Sequence, residues 1–168
     1  MINVEQGAGA PMKVFAQPDE LLDVVGQRLG ASEFRAIEQP QIDAFAAITG
    51  DTQWIHTDPE RARTGPFGGA IAHGMLTLSL GIVLLDEVFR VDGVTMVLNK
   101  GFDRVRFATP VPAGARVRLV ADLTEVKRHA YGYTEAILAV ALEIEDQDRP
   151  AYTAHTRLLY REEPPCGS

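Results

Sequence analysis

Ahead of Gly93 the apolar residues recur at helical spacing, and beyond it they alternate. In QPQIDAFAAITG, Ile42, Phe45, Ala46 and Thr49 stand at i, i+3, i+4 and i+7. That spacing predicts a helix with one inward stripe, ended by Gly50. Asp58-Pro59 predicts an N-cap with proline at the first helical position, and a short helix through Ala62. From His73-Gly74 to about Phe89, Leu, Ile and Val cover nearly all sides, the pattern of a helix buried all round. Gly81 inside it implies the close approach of another backbone. Earlier, Pro18-Asp19-Glu20 opens a short helix to about Val25, stopped by Gly26, and residues 29–38 read as extended.

After Gly93, segments near 95–108, 115–128, 132–145 and 150–161 are rich in Val, Leu, Ile, Tyr and Thr. Val117, Leu119, Ala121 and Leu123 alternate with Arg116, Arg118, Asp122 and Thr124, which reads as a strand with one buried face. Pro- and Gly-rich connectors separate the segments. One early strand, then helices, then about four sequential strands predict an α+β domain, an antiparallel sheet wrapped on one buried central helix. No repeat or linker splits it. The expected organisation is an N-terminal extension over 1–11, one domain over 12–162 and a tail over 163–168, with Met12 an alternative start.

Composition narrows the partners. The 168 residues carry a net charge of −7, which argues against a nucleic-acid partner. One cysteine, Cys166, leaves no internal disulfide and suits a reducing, cytoplasmic setting. The start has no signal-peptide pattern, and the most apolar run, Met75 to Leu85, is too short to span a bilayer.

The chemistry gathers in GDTQWIHTD. Asp51 and His56 sit on one connector between two helices, where a carboxylate and an imidazole can hold one water between them. Spacing alone leaves three readings open: a catalytic pair, half of a metal site with Asp58, or a polar loop. Four histidines without a helical i, i+4 pair make the metal reading the weakest. His129 and His155 read as strand-face residues. His73-Gly74 stands at the helix N-terminus, where a free backbone N–H favours developing negative charge and glycine admits a ligand. Lys100, Arg104 and Arg106 cluster near the start of the sheet, either as a solvated face or as contacts for phosphates.

Together these residues resemble a known family. FAAITGDTQWIHTDPERARTGPFGGAIAHGMLTLSL is similar to the MaoC-like (R)-specific enoyl-CoA hydratases of hot-dog fold, and within them to the NodN-like branch. FDRVRFATPVPAGARVRL resembles the family's strand after the central helix, and the resemblance runs from about Met12 to Tyr160. It implies Asp51 and His56 as the catalytic pair and the Gly74 amide as oxyanion hole. Gln53 and Ser79 are supporting candidates, and Trp54, Phe67 and Met75 are candidates for lining an acyl pocket. One departure stands out: Gln53 and Trp54 replace the usual asparagine and proline. The implied reaction is reversible syn hydration of a trans-2-enoyl-CoA to the (R)-3-hydroxyacyl-CoA, with no metal or redox cofactor, in a homodimer whose sheets join edge to edge. Within the same fold the alternatives are an acyl-CoA thioesterase, a carrier-protein 3-hydroxyacyl dehydratase and a non-catalytic acyl-CoA-binding subunit.

Overall fold

The computed structural model describes residues 12–162; the expected extension (1–11) and tail (163–168) lie outside the described residues. The chain runs through β1 (Lys13–Phe15), a 3₁₀ turn (Pro18–Val24), β2 (Arg28–Ala31) and β3 (Arg35–Ala36). Four helices follow: α1 (Gln39–Thr49), α2 (Trp54–Thr57), α3 (Pro59–Ala62) and α4 (Gly74–Val88). The chain then forms β4 (Phe89–Val91), β5 (Val94–Phe107), β6 (Arg116–His129), β7 (Tyr133–Ile144) and β8 (Tyr152–Glu162). The main sheet is antiparallel, in the order β2-β6-β7-β8-β5, with β3 also paired to β6.

The four long strands fall within two residues of their sequence-based bounds, because period-two alternation and turn residues mark both ends of each. The buried members of that alternation form the core. Leu119 and Leu123 of β6, Leu138 and Leu142 of β7, and Tyr152 of β8 are all almost fully buried together with the inner face of α4. Each such side chain contributes roughly 1.5–3 kcal/mol by leaving water.

Several expectations are corrected. The first helix is a 3₁₀ turn. A short strand pair was missed: β1 joins β4 in parallel, and β4 begins at Phe89, which the sequence pattern assigns to the helix end. Three-residue strands carry too little alternation to be read. On α1, Ile42 and Ala46 are buried, but Thr49 is exposed and donates its hydroxyl to the Phe45 carbonyl (2.8 Å). The connector after Gly50 holds a helical turn of its own, α2. Most important, α4 is not buried all round: Met75, Ser79 and Val83, at i, i+4 and i+8, form an exposed stripe, with Met75 and Val83 each 56% exposed. Gly81 faces a side chain rather than a backbone. A Cβ built there would lie 1.9 Å from the Tyr152 hydroxyl oxygen, so only glycine lets that ring pack between α4 and the sheet.

On the outer face, Glu135 of β7 is 2% exposed at its side chain and sits in a network with His129, Lys100, Arg157 and Asp103. Its carboxylate accepts from His129 Nε2 (2.8 Å), Arg157 Nη1 (3.2 Å) and Lys100 Nζ (3.3 Å), while Arg157 Nε also donates to Asp103 (2.6 Å). Burial alone pushes the Glu135 carboxyl up, but the three donors outweigh it and hold it at about 2, against an ordinary 4.5. A folded-state value below the unfolded one contributes stability that is full above pH 4.5 and fades as the pH falls from there towards 2. Glu135→Gln should therefore lower the thermal midpoint at pH 7, and its gap from the parent should narrow through that window. A gap constant from pH 7 to pH 3 would show that the charge contributes nothing.

Candidate active site

The segment 51–58 is folded by bonds to main-chain groups. Gly50 takes the left-handed conformation that ends α1 (φ 79°) and turns the chain out of the helix. The Thr57 hydroxyl reaches the carbonyls of Thr52 (3.1 Å) and Gln53 (3.2 Å), closing the loop. Gln39 Nε2 donates to the His56 carbonyl (2.7 Å), tying α1 to α2. The Asp58 carboxylate caps α3 by accepting from Arg61 N (3.0 Å), as its place before Pro59 predicts.

His56 is buried, and its Nδ1 lies 2.7 Å from the Ile71 carbonyl. A carbonyl only accepts, so Nδ1 carries the hydrogen, and in the neutral form of the ring the lone pair is at Nε2. His73, the residue before α4, brings its Nε2 to 2.9 Å from the Asp51 carbonyl, so that nitrogen is the donor. The two imidazoles stack, with centroids 3.8 Å apart and planes 26° from parallel, and Phe45 packs on His73 at 5.1 Å. His73 Nδ1 is buried without a partner among the described residues. Asp51 itself is exposed. One ligand-type atom from each of Asp51, His56 and His73 lies within 4.8 Å of the others. Three such groups invite a metal ion, but imidazoles coordinate in their ring planes. An ion in the plane of one stacked ring lies well out of the plane of the other, so the pair is poorly disposed to share one.

His56 and Gly74 line one cavity of about 360 Å³, closed further by Thr77, Phe107, Pro110 and Val111. Gly74 is the first residue of α4, so no carbonyl within the helix reaches its N–H. A Cβ there would come within 3.0 Å of the Phe107 ring, which therefore lies directly against this end of the helix. Phe107 in turn packs edge-on against Tyr152, at 6.2 Å. Thus α2 supplies the imidazole, the start of α4 the amide, and the end of β5 an aromatic wall.

The remaining candidates are not brought together. Trp54, Phe67 and Met75 are not among the cavity's walls. Trp54 instead packs against Gly65, where a Cβ would meet the indole at 2.9 Å, and Arg61 lies over its ring at 4.4 Å. It anchors the loop. Phe67 is exposed on the turn-rich loop, and Met75 belongs to the outer stripe of α4. Ser79 is on that stripe too and donates to the Met75 carbonyl (2.9 Å), the back-bond of a serine inside a helix rather than support for Asp51. Gln53 is exposed, and its main-chain carbonyl receives His56 N (2.9 Å). Lys100 binds Glu135, apart from Arg104 and Arg106. Sequence reasoning missed His73 and Phe107. His73 was visible only as the residue before a helix-starting glycine, and its bond to Asp51 crosses 22 residues.

Comparison with known proteins agrees with this architecture. Residues 21–141 match the family model described as "MaoC like domain". The chain is 40% identical over 149 residues to 3-hydroxyacyl-thioester dehydratase Z of Mycobacterium tuberculosis (strain ATCC 25618 / H37Rv), covering 89% of this chain and 99% of that protein. It is 45% identical over 133 residues to nodulation protein N of Rhizobium leguminosarum bv. viciae, covering 78% and 83%. Among solved structures, the (R)-hydratase from A. caviae involved in PHA biosynthesis superposes with a TM-score of 0.64 at 26% identity, over 80% of this chain and 94% of that one. The α+β sheet packed on α4 is a hot-dog fold, and the chain belongs to the MaoC-like domain family, in the branch that includes nodulation protein N.

Proposed function

We propose that the protein is a hydro-lyase that reversibly hydrates trans-2-enoyl-CoA to the (R)-3-hydroxyacyl-CoA. One observation carries this reading: His56 and the first amide of α4 open on the same cavity, with the Asp51 carboxylate beside the imidazole. In the proposed reaction the thioester carbonyl oxygen accepts from Gly74 N–H. A water sits between Asp51 and His56 Nε2, whose lone pair orients it. Asp51 takes a proton from the water as the oxygen bonds to C3. The alkene electrons move towards the carbonyl, forming an enolate that the amide and the helix dipole stabilise. The same carboxyl returns the proton to C2 on the same face, which gives syn addition, and the reverse sequence is dehydration. The thioester acidifies C2, so the reaction needs no metal or redox cofactor. The relatives named for dehydratase and (R)-hydratase activity support this class of chemistry.

We further propose a homodimer joined through β5. This strand is one edge of the main sheet, opposite β2, and its first half exposes Met96, Val97 and Leu98. Register shifts at Val94/Met96, Asn99/Gly101 and Asp103/Arg106 interrupt the strand and leave Met96 to Asn99 as a regular run in its first half. No helix of the described residues is long and apolar enough to cross a membrane, and the single cysteine supports a cytoplasmic setting.

Crotonyl-CoA hydration, followed as loss of enoyl absorbance, should fall roughly 10²–10⁴-fold in Asp51→Asn and in His56→Ala; unchanged turnover in both would sink the assignment. Release of free thiol instead of hydration would mark a thioesterase. His73 acts as a positioning residue, because its ring nitrogen holds the Asp51 main chain. His73→Leu should lower kcat up to roughly 100-fold with little change in KM, and His73→Gln, which keeps a donor, should recover part of the loss. Equal losses in the two variants, or a change confined to KM, would count against this role. Sedimentation velocity should give a dimer, and a stable, fully active monomer would exclude the β5 interface.

A further inference from the structure

The outer face of the sheet holds a cleft that the reaction above does not use. It measures about 390 Å³, within the usual range for small-ligand pockets. Its shape follows from the strand order. The central strands β7 and β8 contribute small residues, Ala139, Ala141 and Thr153, while the flanks carry Arg28 on one side and Arg104 and Arg106 on the other. Small side chains between long ones leave a depression.

The charges of its walls do not balance. Asp122 is bound by Arg28 (2.9 Å) and Glu143 by Arg118 (2.8 Å). In the adjoining cavity, which shares Arg104, Asp103 is bound by Arg157 (2.6 Å), and Glu125 pairs with Lys127 (3.0 Å). Every carboxylate lining either cavity thus has a cation already. The guanidiniums of Arg104 and Arg106 make no hydrogen bond or ion pair with any described residue. Two free guanidiniums therefore border one cleft on a chain of net charge −7. Arg104 is also held in a left-handed backbone conformation (φ 54°) at a break in the β5 register, which fixes where its side chain leaves the strand. Guanidinium forks suit phosphate oxygens geometrically as well as by charge.

The cleft and the catalytic cavity meet the same end of β5 from opposite faces of the sheet. Arg106 pairs with Thr153 in register, and both border the cleft; the next pair is Phe107 with Tyr152, and Phe107 walls the cavity beside Gly74. Successive side chains of a strand point to opposite faces, so the cleft on the outer face and the cavity on the inner one are joined around the end of β5 after Phe107, away from the proposed dimer contact.

We propose that Arg104 and Arg106 form a phosphate-binding site for the nucleotide end of coenzyme A, while its pantetheine arm passes the Phe107 end of β5 into the cavity. This rests on the thioester reading above. The volume favours the whole bisphosphorylated nucleotide over the single phosphate that a carrier protein's phosphopantetheine would offer.

The test compares the wild type with the double variant Arg104→Gln/Arg106→Gln, whose melting temperature should stay near the parent's because neither side chain has a protein partner. KM for crotonyl-CoA should rise at least roughly tenfold more than KM for crotonyl-pantetheine, which has no phosphate. Equal changes for the two substrates, or none for the CoA ester, overturn the proposal. An equally large rise for crotonyl-phosphopantetheine overturns the nucleotide assignment in favour of the single phosphate. Calorimetry with adenosine 3′,5′-bisphosphate reads the cleft without turnover: binding that weakens at least roughly tenfold in the variant supports it, and no binding to the wild type overturns it. Nucleotide binding by a wild type that hydrates no enoyl thioester would leave the cleft standing and remove the hydratase reading.

Discussion

The seat of α4 on the sheet governs the rest of the molecule. It depends on the contact between Gly81 and Tyr152, where a hydroxyl oxygen occupies the space a β-carbon would need. That contact sets how deep the helix lies, and so where its first turn emerges. Tyr152 is almost fully buried, and burial pushes its hydroxyl well above the usual tyrosine range, so it stays neutral in the core. Its ring supports Phe107, and Phe107 lies against Gly74. A packing constraint in the middle of the helix is thereby carried to the amide at its start. Any side chain at residue 81 would have to move either Tyr152 or the helix, and both routes displace the wall of the cavity.

Much of this was legible in the chain, for physical reasons that differ by element. The strands β5 to β8 are long enough for alternation to mark both faces and for Pro and Gly to mark their ends. The caps at Gly50 and Asp58 are local, decided within a few residues, and they occur as read. What failed was non-local. β1 finds β4 across more than seventy residues with only three residues of pattern on each strand. Met75 and Val83 are apolar, which in a single chain reads as buried; they are exposed, and apolarity at an exposed stripe marks a surface of a different use. His73 carries no signal in its neighbours, because its partner is a main-chain oxygen brought near by the fold.

The departure at Gln53 and Trp54 becomes understandable from how Asp51, His56 and the Gly74 amide are held. His56 is oriented by the Ile71 carbonyl, Asp51 is positioned through its own carbonyl by His73, and the amide of Gly74 is itself main chain. None of these restraints uses the side chains of residues 53 and 54. Trp54 has a separate task, covering Gly65 beneath Arg61, and Gln53 contributes its carbonyl to the turn of α2, which any residue can do. A site fixed by backbone acceptors tolerates change in the side chains around it, provided the loop keeps its path. The pair Asp51 and His56 can therefore keep its place while Gln53 and Trp54 between them differ from the common pattern, and the side chain of Trp54 bears on the anchoring of the loop.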